Sequence, residues 1–326
     1  MRFVRLSKLL IPVAAAALLL AACAPAATVT PPPIPTLTAA PAPTATPEPI
    51  TLTDSLGHPV TLAAPAQKIV SLAPSNTEIL FALEVGDRLI GRDEPSDYPA
   101  AALDVPSIGS LYPSVNAEAV VALAPDLVLA AGITNPDDVQ RLIDLGLTVY
   151  ATSVSSGLED IYGDIEAIGR LTGESEAAAG LVAGLRTRVD AVSTSAGQAA
   201  DRPLVYYELD ATEPARPWTP GPGSFIDQLV TLAGGQNAGN VGADLYYQIS
   251  LEQLVALDPA VIVLGSFTYG GETPETVAAR PGWGDMSAVK NGTVYTFDDN
   301  LVSRPGPRVV DGLEQLAKLI HPELYQ

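Results

Sequence analysis

The sequence predicts an α/β protein made of two Rossmann-like lobes that are joined by one long helix and enclose a ligand cleft. Three observations support this fold class. Short apolar strands alternate with amphipathic helices, which is typical of parallel sheets covered by helices. An Ala-rich helical stretch with no adjacent strand divides the alternation into two halves. The pattern of the first half then recurs in the second, so the two lobes share one plan.

The N-terminus stands apart from this pattern. A basic start precedes an apolar run at residues 9–20, which is too short for a membrane span and has the length of a signal-peptide core. The run closes as Leu20-Ala-Ala-Cys23, which resembles the lipobox of bacterial lipoproteins. We therefore interpret residues 1–22 as a lipoprotein signal peptide and Cys23 as the lipidated residue. A role as a small hydrophobic residue is the alternative for this cysteine.

Residues 23–49 are interpreted as a tether. They are rich in Pro, Thr and Ala and carry a single charge, Glu48. Such a stretch cannot bury enough apolar surface to offset the entropy of ordering, so it is expected to form an extended, semi-rigid spacer. A lipid on Cys23 would then hold the folded part above a membrane.

The first lobe is assigned to residues 50–172. A hairpin-like opening with Gly57 at its turn leads to a buried strand at 68–72. The spacing of Ser75 and Glu78 predicts a capping box at the start of the next helix, which gives Glu78 a structural role. Further strands are predicted at 89–90, 126–130 and 148–151, with helices at 117–123, 136–145 and 158–171.

The connecting helix is assigned to residues 173–200, with its Ala-rich amphipathic stretch at 175–196. The second lobe follows at residues 201–326. Its predicted strands are 204–208, 261–264 and 294–297, and its predicted helices are 224–233, 251–257 and 309–320.

One repeated segment carries a glutamate in each lobe. The segment that begins Asn116-Ala-Glu118 matches the one that begins Ser250-Leu-Glu252, and each reads as a capped short helix, a proline stop and a buried strand. A carboxylate in the first turn gains a few tenths to about 1 kcal/mol from the helix dipole. That gain explains a single glutamate, but it does not explain why both lobes carry a glutamate at the same position of the repeat. A role in helix capping and a role in docking to a partner therefore both remain open.

Composition narrows the function classes. The 17 Lys and Arg against 37 Asp and Glu give a net charge of −20, which disfavours nucleic acid and anionic lipid headgroups as partners. A single cysteine and two histidines leave no expected metal site or cofactor. His58 and His321 both read as exposed loop residues, so no nucleophile–base pair is evident and no enzyme is expected. A tethered enzyme and an adhesive module remain as alternatives.

Several motifs, in order along the chain, carry a family resemblance. They are Ile69-Val-Ser-Leu-Ala-Pro-Ser-Asn-Thr-Glu78, Asp97-Tyr-Pro99, the two glutamate repeats, and Arg304-Pro-Gly-Pro-Arg308. Together they resemble the iron-siderophore and vitamin B12 class of ABC-importer substrate-binding proteins, over nearly all of residues 50–326.

The resemblance implies a function and its partners. It implies two lobes that are rigidly joined by one long helix and close little on their ligand. It also implies a monomeric, extracytoplasmic protein, lipid-anchored on the periplasmic side or the cell surface, that delivers its ligand to membrane permease subunits. Residue by residue, the family's two permease-docking glutamates fall on Glu118 and Glu252.

Loops at the strand ends supply the candidate ligand-binding residues, which are Ser75, Asn76, Tyr112, Trp218 and Arg304. The resemblance places aromatics at Tyr112 and Trp218, as in the B12-binding members, and ordinary loop packing is the alternative for both. The sequence departs from those members at Pro95 and Ala131, where the family pattern has a tyrosine and a tryptophan. These departures count against cobalamin itself as the ligand, but not against membership of this class of binding proteins.

Two arginines near the C-terminus are assigned different roles. Pro305 forces Arg304 into an extended conformation, so Arg304 can reach the cleft. Arg308 opens the last helix, where Asp311 is expected to neutralise it, and is assigned a structural role. Arg92 is a weaker second candidate for a cleft cation. So few cations favour a large ligand of low net charge, with a corrinoid first and a ferric hydroxamate siderophore second, over haem or catecholate complexes.

Removing the only thiol should remove the anchor. We predict that Cys23→Ala protein leaves the membrane fraction or accumulates unprocessed, because no other residue can accept a thioether-linked lipid. Labelled fatty acid should be incorporated into the native protein and not into the variant. A native protein that carries no lipid would show the tether to be wrongly assigned.

Overall fold

The computed structural model describes residues 48–325. The signal peptide predicted at 1–22, Cys23 and nearly all of the tether lie outside the described residues. No helix in the described part of the chain is both long enough and apolar enough to cross a bilayer.

The N-terminal lobe is built on a four-stranded parallel sheet with the order β4-β3-β5-β6. An antiparallel hairpin, β1–β2, precedes it and turns at Gly57, whose φ of +86° suits glycine. The strands are β1 Ile50–Thr53, β2 Pro59–Leu62, β3 Ile69–Ser71, β4 Leu89–Arg92, β5 Leu127–Ala130 and β6 Val149–Ala151. The helices are α1 Pro74–Ala82, α2 Ala117–Ala122, α3 Pro136–Asp144 and α4 Leu158–Thr172, with 3-10 turns at Gly86–Arg88 and Ala100–Asp104.

The long helix α5, Ser175–Ala196, leads into a C-terminal lobe with a second parallel sheet, of order β12-β11-β7-β9. The strands of this lobe are β7 Leu204–Glu208, β8 Trp218–Pro220, β9 Gln236–Asn237, β10 Tyr246–Gln248, β11 Val261–Leu264 and β12 Val294–Thr296. Its helices are α6 Phe225–Leu232, α7 Leu251–Leu257, α8 Phe267–Gly270, α9 Pro274–Ala278, α10 Ser287–Asn291, α11 Asn300–Ser303 and α12 Val309–Ile320, with 3-10 turns at Ala238–Val241 and Pro322–Leu324. Strands β8 and β10 pair antiparallel.

Helix α5 is fastened to both lobes. It packs against α4 of the first lobe and against α12 of the second. The largest hydrophobic cluster includes Ile69 and Leu127 from one sheet, Val205 and Val263 from the other, and Leu185 of α5. Because this apolar core continues through both lobes, the helix joins them rigidly rather than as a flexible hinge.

The repeated caps are confirmed, but the first predicted capping box is wrong. Asn116 and Ser250 each accept a hydrogen bond from a backbone N–H in the first turn of their helix, and Ser224 caps α6 in the same way. Helix α1 instead begins at Pro74 after an Ala73 N-cap that makes no side-chain bond. Proline at the first helical position is already preorganised for the helix, so Ser75 falls inside the first turn.

Glu78 instead forms an ion pair with the other lobe. Its carboxylate accepts two hydrogen bonds from Arg308, at 2.5 and 2.9 Å. The Glu78 side chain is 2% exposed and that of Arg308 14%. The expected partner Asp311 pairs with Arg188 of α5 at 2.5 Å, so the prediction that it neutralises Arg308 is wrong. The structural roles assigned to Glu78 and Arg308 therefore come from a contact between lobes and not from a helix end.

The expectation for the second histidine is also wrong. His321 is 3% exposed, and its Nε2 lies 3.2 Å from the carbonyl oxygen of Gly234. The chain turns back after α12 and packs this ring against the end of α6, away from the cleft loops.

Breaking the pair between the lobes should destabilise the protein. Arg308→Ala leaves the buried Glu78 carboxylate without its partner, and we expect a loss of about 2–3 kcal/mol in the free energy of unfolding, the low end for a buried pair because Arg308 is partly exposed. Denaturant titration measures it as a lower midpoint. Arg186→Ala is the matched control, since it breaks the pair with Glu159 on the protein surface and should shift the midpoint far less. Equal shifts in both variants would contradict this account.

Candidate functional site

A cavity of about 600 Å³ lies between the two lobes, within the range of ligand pockets. Loops that follow the carboxyl ends of β3, β5, β6 and β7 contribute to it, as expected for ligand sites in α/β sheets. Its lining from the first lobe is Ala73, Pro74, Ser75, Pro95, Ala131, Gly132, Ile133, Thr152, Ser153, Val154, Ser155 and Asp164. Its lining from the second lobe is Leu209, Phe225, Ile226, Tyr246, Tyr269, Val302, Ser303, Arg304 and Pro305.

Two further cavities share walls with this central one. A cavity of about 530 Å³ in the first lobe shares residues that include Ala73, Ala131 and Ile133. A smaller one of about 280 Å³ in the second lobe shares Leu209 and Tyr269. The shared residues make the three cavities parts of one cleft that extends into both lobes, so the cleft has room for a large ligand.

Apolar and aromatic side chains dominate the walls. Tyr246 and Tyr269 face the central cavity from the second lobe, and Ile133 and Val154 face it from the first. All four are exposed, Tyr269 by 73% and Ile133 by 84%. Clustered exposed apolar side chains of this size mark a binding surface, because covering them removes apolar area from water.

Several hydroxyl groups lie on the cavity walls, and most are already bonded within the protein. Ser153 donates to the Asp164 carboxylate at 2.6 Å, and burial raises the pKa of that carboxyl. Ser303 donates to Asp299. The Ser155 Oγ is buried and has no hydrogen-bond partner among the described residues. It can donate to, or accept from, a polar group on a ligand.

Arg304 lies on the wall of the central cavity, and its guanidinium contacts carboxylates of the first lobe. It donates to the Asp97 carboxylate at 2.5 Å and lies 3.9 Å from Glu78. The hydrogen bond from Arg304 holds the pKa of the Asp97 carboxyl below its usual range. The neighbouring Arg308 guanidinium lies 3.8 Å from the centre of the Tyr98 ring, a cation–π contact that holds the Asp97 loop.

Arg92, the second candidate for a cleft cation, forms its hydrogen bonds within the protein. Arg92 is 8% exposed and donates to the backbone carbonyl oxygens of Ala102, Asp93 and Glu94. Asp93 lines the cavity of the first lobe, and burial raises the pKa of its carboxyl to about 6. This part of the cleft therefore presents carboxylates rather than cations.

The five candidate ligand residues do not all reach the cavities. Ser75 and Arg304 line the central cavity, and Tyr112 lines the first-lobe cavity with 88% of its surface exposed. Asn76 is buried and donates to the carbonyl oxygen of Ala130 at 3.1 Å, while its own Oδ1 has no partner in the described chain. Trp218 begins β8, is 42% exposed and does not line any of the three cavities. Their roles in ligand binding stay predictions.

The cavity also includes residues that the sequence analysis missed. Phe225, Tyr246 and Tyr269 line the second-lobe side. Tyr269 lies on the short helix directly after β11, and its hydroxyl donates to Asn300 at 2.7 Å. Its position after the carboxyl end of a predicted parallel strand was a usable signal, because that edge of a sheet forms the cleft.

The repeated glutamates are exposed and unengaged. Glu118 and Glu252 occupy the same first-turn position on α2 and α7. Each helix leads into a parallel strand, β5 or β11, which places the helix N-terminus at the carboxyl edge of its sheet. Within residues 48–325 neither carboxylate forms an ion pair or accepts a side-chain hydrogen bond, so both are free to contact a partner.

Known proteins are similar to this chain in sequence and in fold. Residues 69–301 match the Periplasmic binding protein family. The uncharacterized ABC transporter substrate-binding lipoprotein YvrC of Bacillus subtilis is 32% identical over 85% of this chain and 87% of its own length. A cobalamin-binding protein of Halobacterium salinarum is 31% identical over 83% of this chain and 74% of its own. The crystal structure of the periplasmic vitamin B12 binding protein BtuF of Vibrio cholerae superposes with a TM-score of 0.67 at 28% identity, covering 80% of this chain and 99% of that one.

The chain belongs to the periplasmic binding protein family, and its two-lobed fold with a cleft between the lobes is the fold of that family. It is a substrate-binding protein of an ABC importer. Members of this class are transport components and not enzymes. No group of three potential metal-ligating side chains occurs in the described residues.

Proposed function

We propose that the protein is a lipid-anchored, extracytoplasmic binding protein that captures a corrinoid and delivers it to the membrane subunits of its importer. The observation that carries the proposal is the chemistry of the cleft. Its walls are aromatic and aliphatic, and Arg304, the one cation among the residues that line the three cavities, is already paired with Asp97. Such a site suits a large ligand with a conjugated body and neutral polar groups.

Corrinoids match these features. Their broad macrocycle can stack on Tyr246 and Tyr269. Their neutral amide groups can form hydrogen bonds with hydroxyls such as those of Ser75 and Ser155. The relatives named for cobalamin or vitamin B12 support this choice. A ferric hydroxamate complex is the second candidate, since it is also bulky and weakly charged, and one solved relative is named for Fe³⁺-hydroxamate transport. Haem and catecholate complexes are anionic, and this cleft offers them no free cation.

Calorimetric titration of the purified protein tests the proposal. We expect exothermic, saturable 1:1 binding of cyanocobalamin or cobinamide, weaker binding of a ferric hydroxamate, and little binding of haem. Binding of free Zn²⁺ or Mn²⁺ in preference to every organic complex would refute it.

The aromatic wall should contribute much of the affinity. Stacking and burial of one aromatic ring are worth about 1–3 kcal/mol, so Tyr246→Ala or Tyr269→Ala should weaken cyanocobalamin binding by about tenfold to a hundredfold. Leu103→Ala is the control, because Leu103 is exposed but lies outside the cavities. Unchanged affinity in both tyrosine variants would show that the ligand does not occupy the central cavity.

The paired glutamates should act in delivery rather than capture. Replacing Glu118 and Glu252 with Ala should abolish uptake of labelled cyanocobalamin by cells, while the affinity of the purified variant stays within about threefold because both sites lie outside the cavities. Glu176→Ala is a matched control, since it removes an exposed first-turn glutamate from α5, which lies outside the repeat. A large loss of affinity in the double variant would place these residues in the ligand site.

A further inference from the structure

The cleft is lined by more carboxylates than cations. The side chains that line its three cavities include the carboxylates Asp93, Asp138, Asp164, Asp210 and Glu272. Arginines outside the lining pair with two of these carboxylates, Arg141 with Asp138 and Arg280 with Glu272. Arg304 is the only lysine or arginine among those lining residues. An anionic ligand would therefore depend on the Arg304 guanidinium for compensation.

Asp97 occupies that guanidinium. Its Oδ1 lies 2.5 Å from Arg304 Nη1, and the pair joins the two lobes at the edge of the central cavity. Arg304 is 11% exposed and Asp97 55%, so the arginine faces the cleft while the aspartate approaches it from the solvent side. Asp97 itself does not line the cavities, and it can therefore act on the ligand only through Arg304.

The position of Asp97 is fixed by its neighbours. The next residue, Tyr98, lies under the Arg308 guanidinium, and Arg308 is held in turn by two hydrogen bonds to Glu78. Glu78 also lies 3.9 Å from Arg304. Arg304 is thus compensated by a carboxylate whose neighbouring residue is anchored to the other lobe, with a second carboxylate close by.

The geometry points to Asp97 as a specificity-determining residue, which neutralises Arg304 so that the cleft admits ligands of low net charge and rejects anionic ligands that carry carboxylates or catecholates. This inference rests on the proposed function, because it concerns the same cleft. A neutral carbonyl oxygen can still accept a hydrogen bond from an unused guanidinium N–H. An anion must instead compete with the Asp97 carboxylate for the Arg304 guanidinium.

Asp97→Asn tests this role, because it removes the charge and keeps the shape of the side chain. The probes are haemin, a ferric tris-catecholate and cyanocobalamin, each titrated against wild type, Asp97→Asn, and Asp97→Asn combined with Arg304→Gln. We expect Asp97→Asn to shift the affinity ratio toward both anionic probes by about tenfold or more, the size of one charge-assisted hydrogen bond. The shift should shrink as salt is raised, and it should disappear in the double variant.

Glu159→Gln is the control, since it breaks a surface ion pair away from the cleft, in which Arg186 donates to Glu159 at the same distance of 2.5 Å. No change in selectivity in Asp97→Asn, or an equal change in the double variant or the control, would overturn the inference. The outcomes also separate the two proposals. If wild type binds neither corrinoid nor hydroxamate, but Asp97→Asn gains anion binding through Arg304, the proposed ligand is wrong and the role of Asp97 stands.

Discussion

The ion pair between Glu78 and Arg308 is the constraint on which the rest of the structure depends. It joins two lobes that α5 already connects, and the Arg304–Asp97 pair joins them again at the edge of the cavity, so the shape of the cleft is set before a ligand arrives. Burial raises the pKa of the Glu78 carboxyl although Arg308 opposes this shift. The hydrogen bonds that Arg308 donates to Glu78 raise the pKa of Arg308 against the effect of its own burial. At the Glu78 carboxyl, burial outweighs the attraction of Arg308, so the pair contributes more to the orientation of the lobes than to net stability.

The fold could be predicted from the sequence because its signals are local. Strand and helix alternation, the repeated caps at Asn116 and Ser250, and the strandless stretch of α5 each depend on neighbouring residues. The partner of Glu78 could not be found in this way, because Arg308 is 230 positions away. The spacing from Ser75 offered a local explanation instead, and it failed because the helix begins at Pro74, with Ala73 rather than Ser75 as its N-cap.

The site was predictable only in part, for a related reason. Ser75 and Arg304 follow from the rule that strand ends form the cleft, and both line the cavity. Tyr246 was missed because it lies on β10, a three-residue strand that pairs only with the equally short β8. Such short strands have too few residues to show an alternating pattern. The pairing of Arg304 with Asp97 was missed as well, because it too joins residues from different lobes.

The central claim is that a preformed, carboxylate-rich cleft selects a large ligand of low net charge. Native mass spectrometry of the purified protein, mixed with equal amounts of cyanocobalamin, a ferric hydroxamate, haemin and a ferric tris-catecholate, tests it in one competition. The account predicts one dominant 1:1 complex, with cyanocobalamin first and the ferric hydroxamate second. A dominant complex with haemin or the catecholate would contradict it.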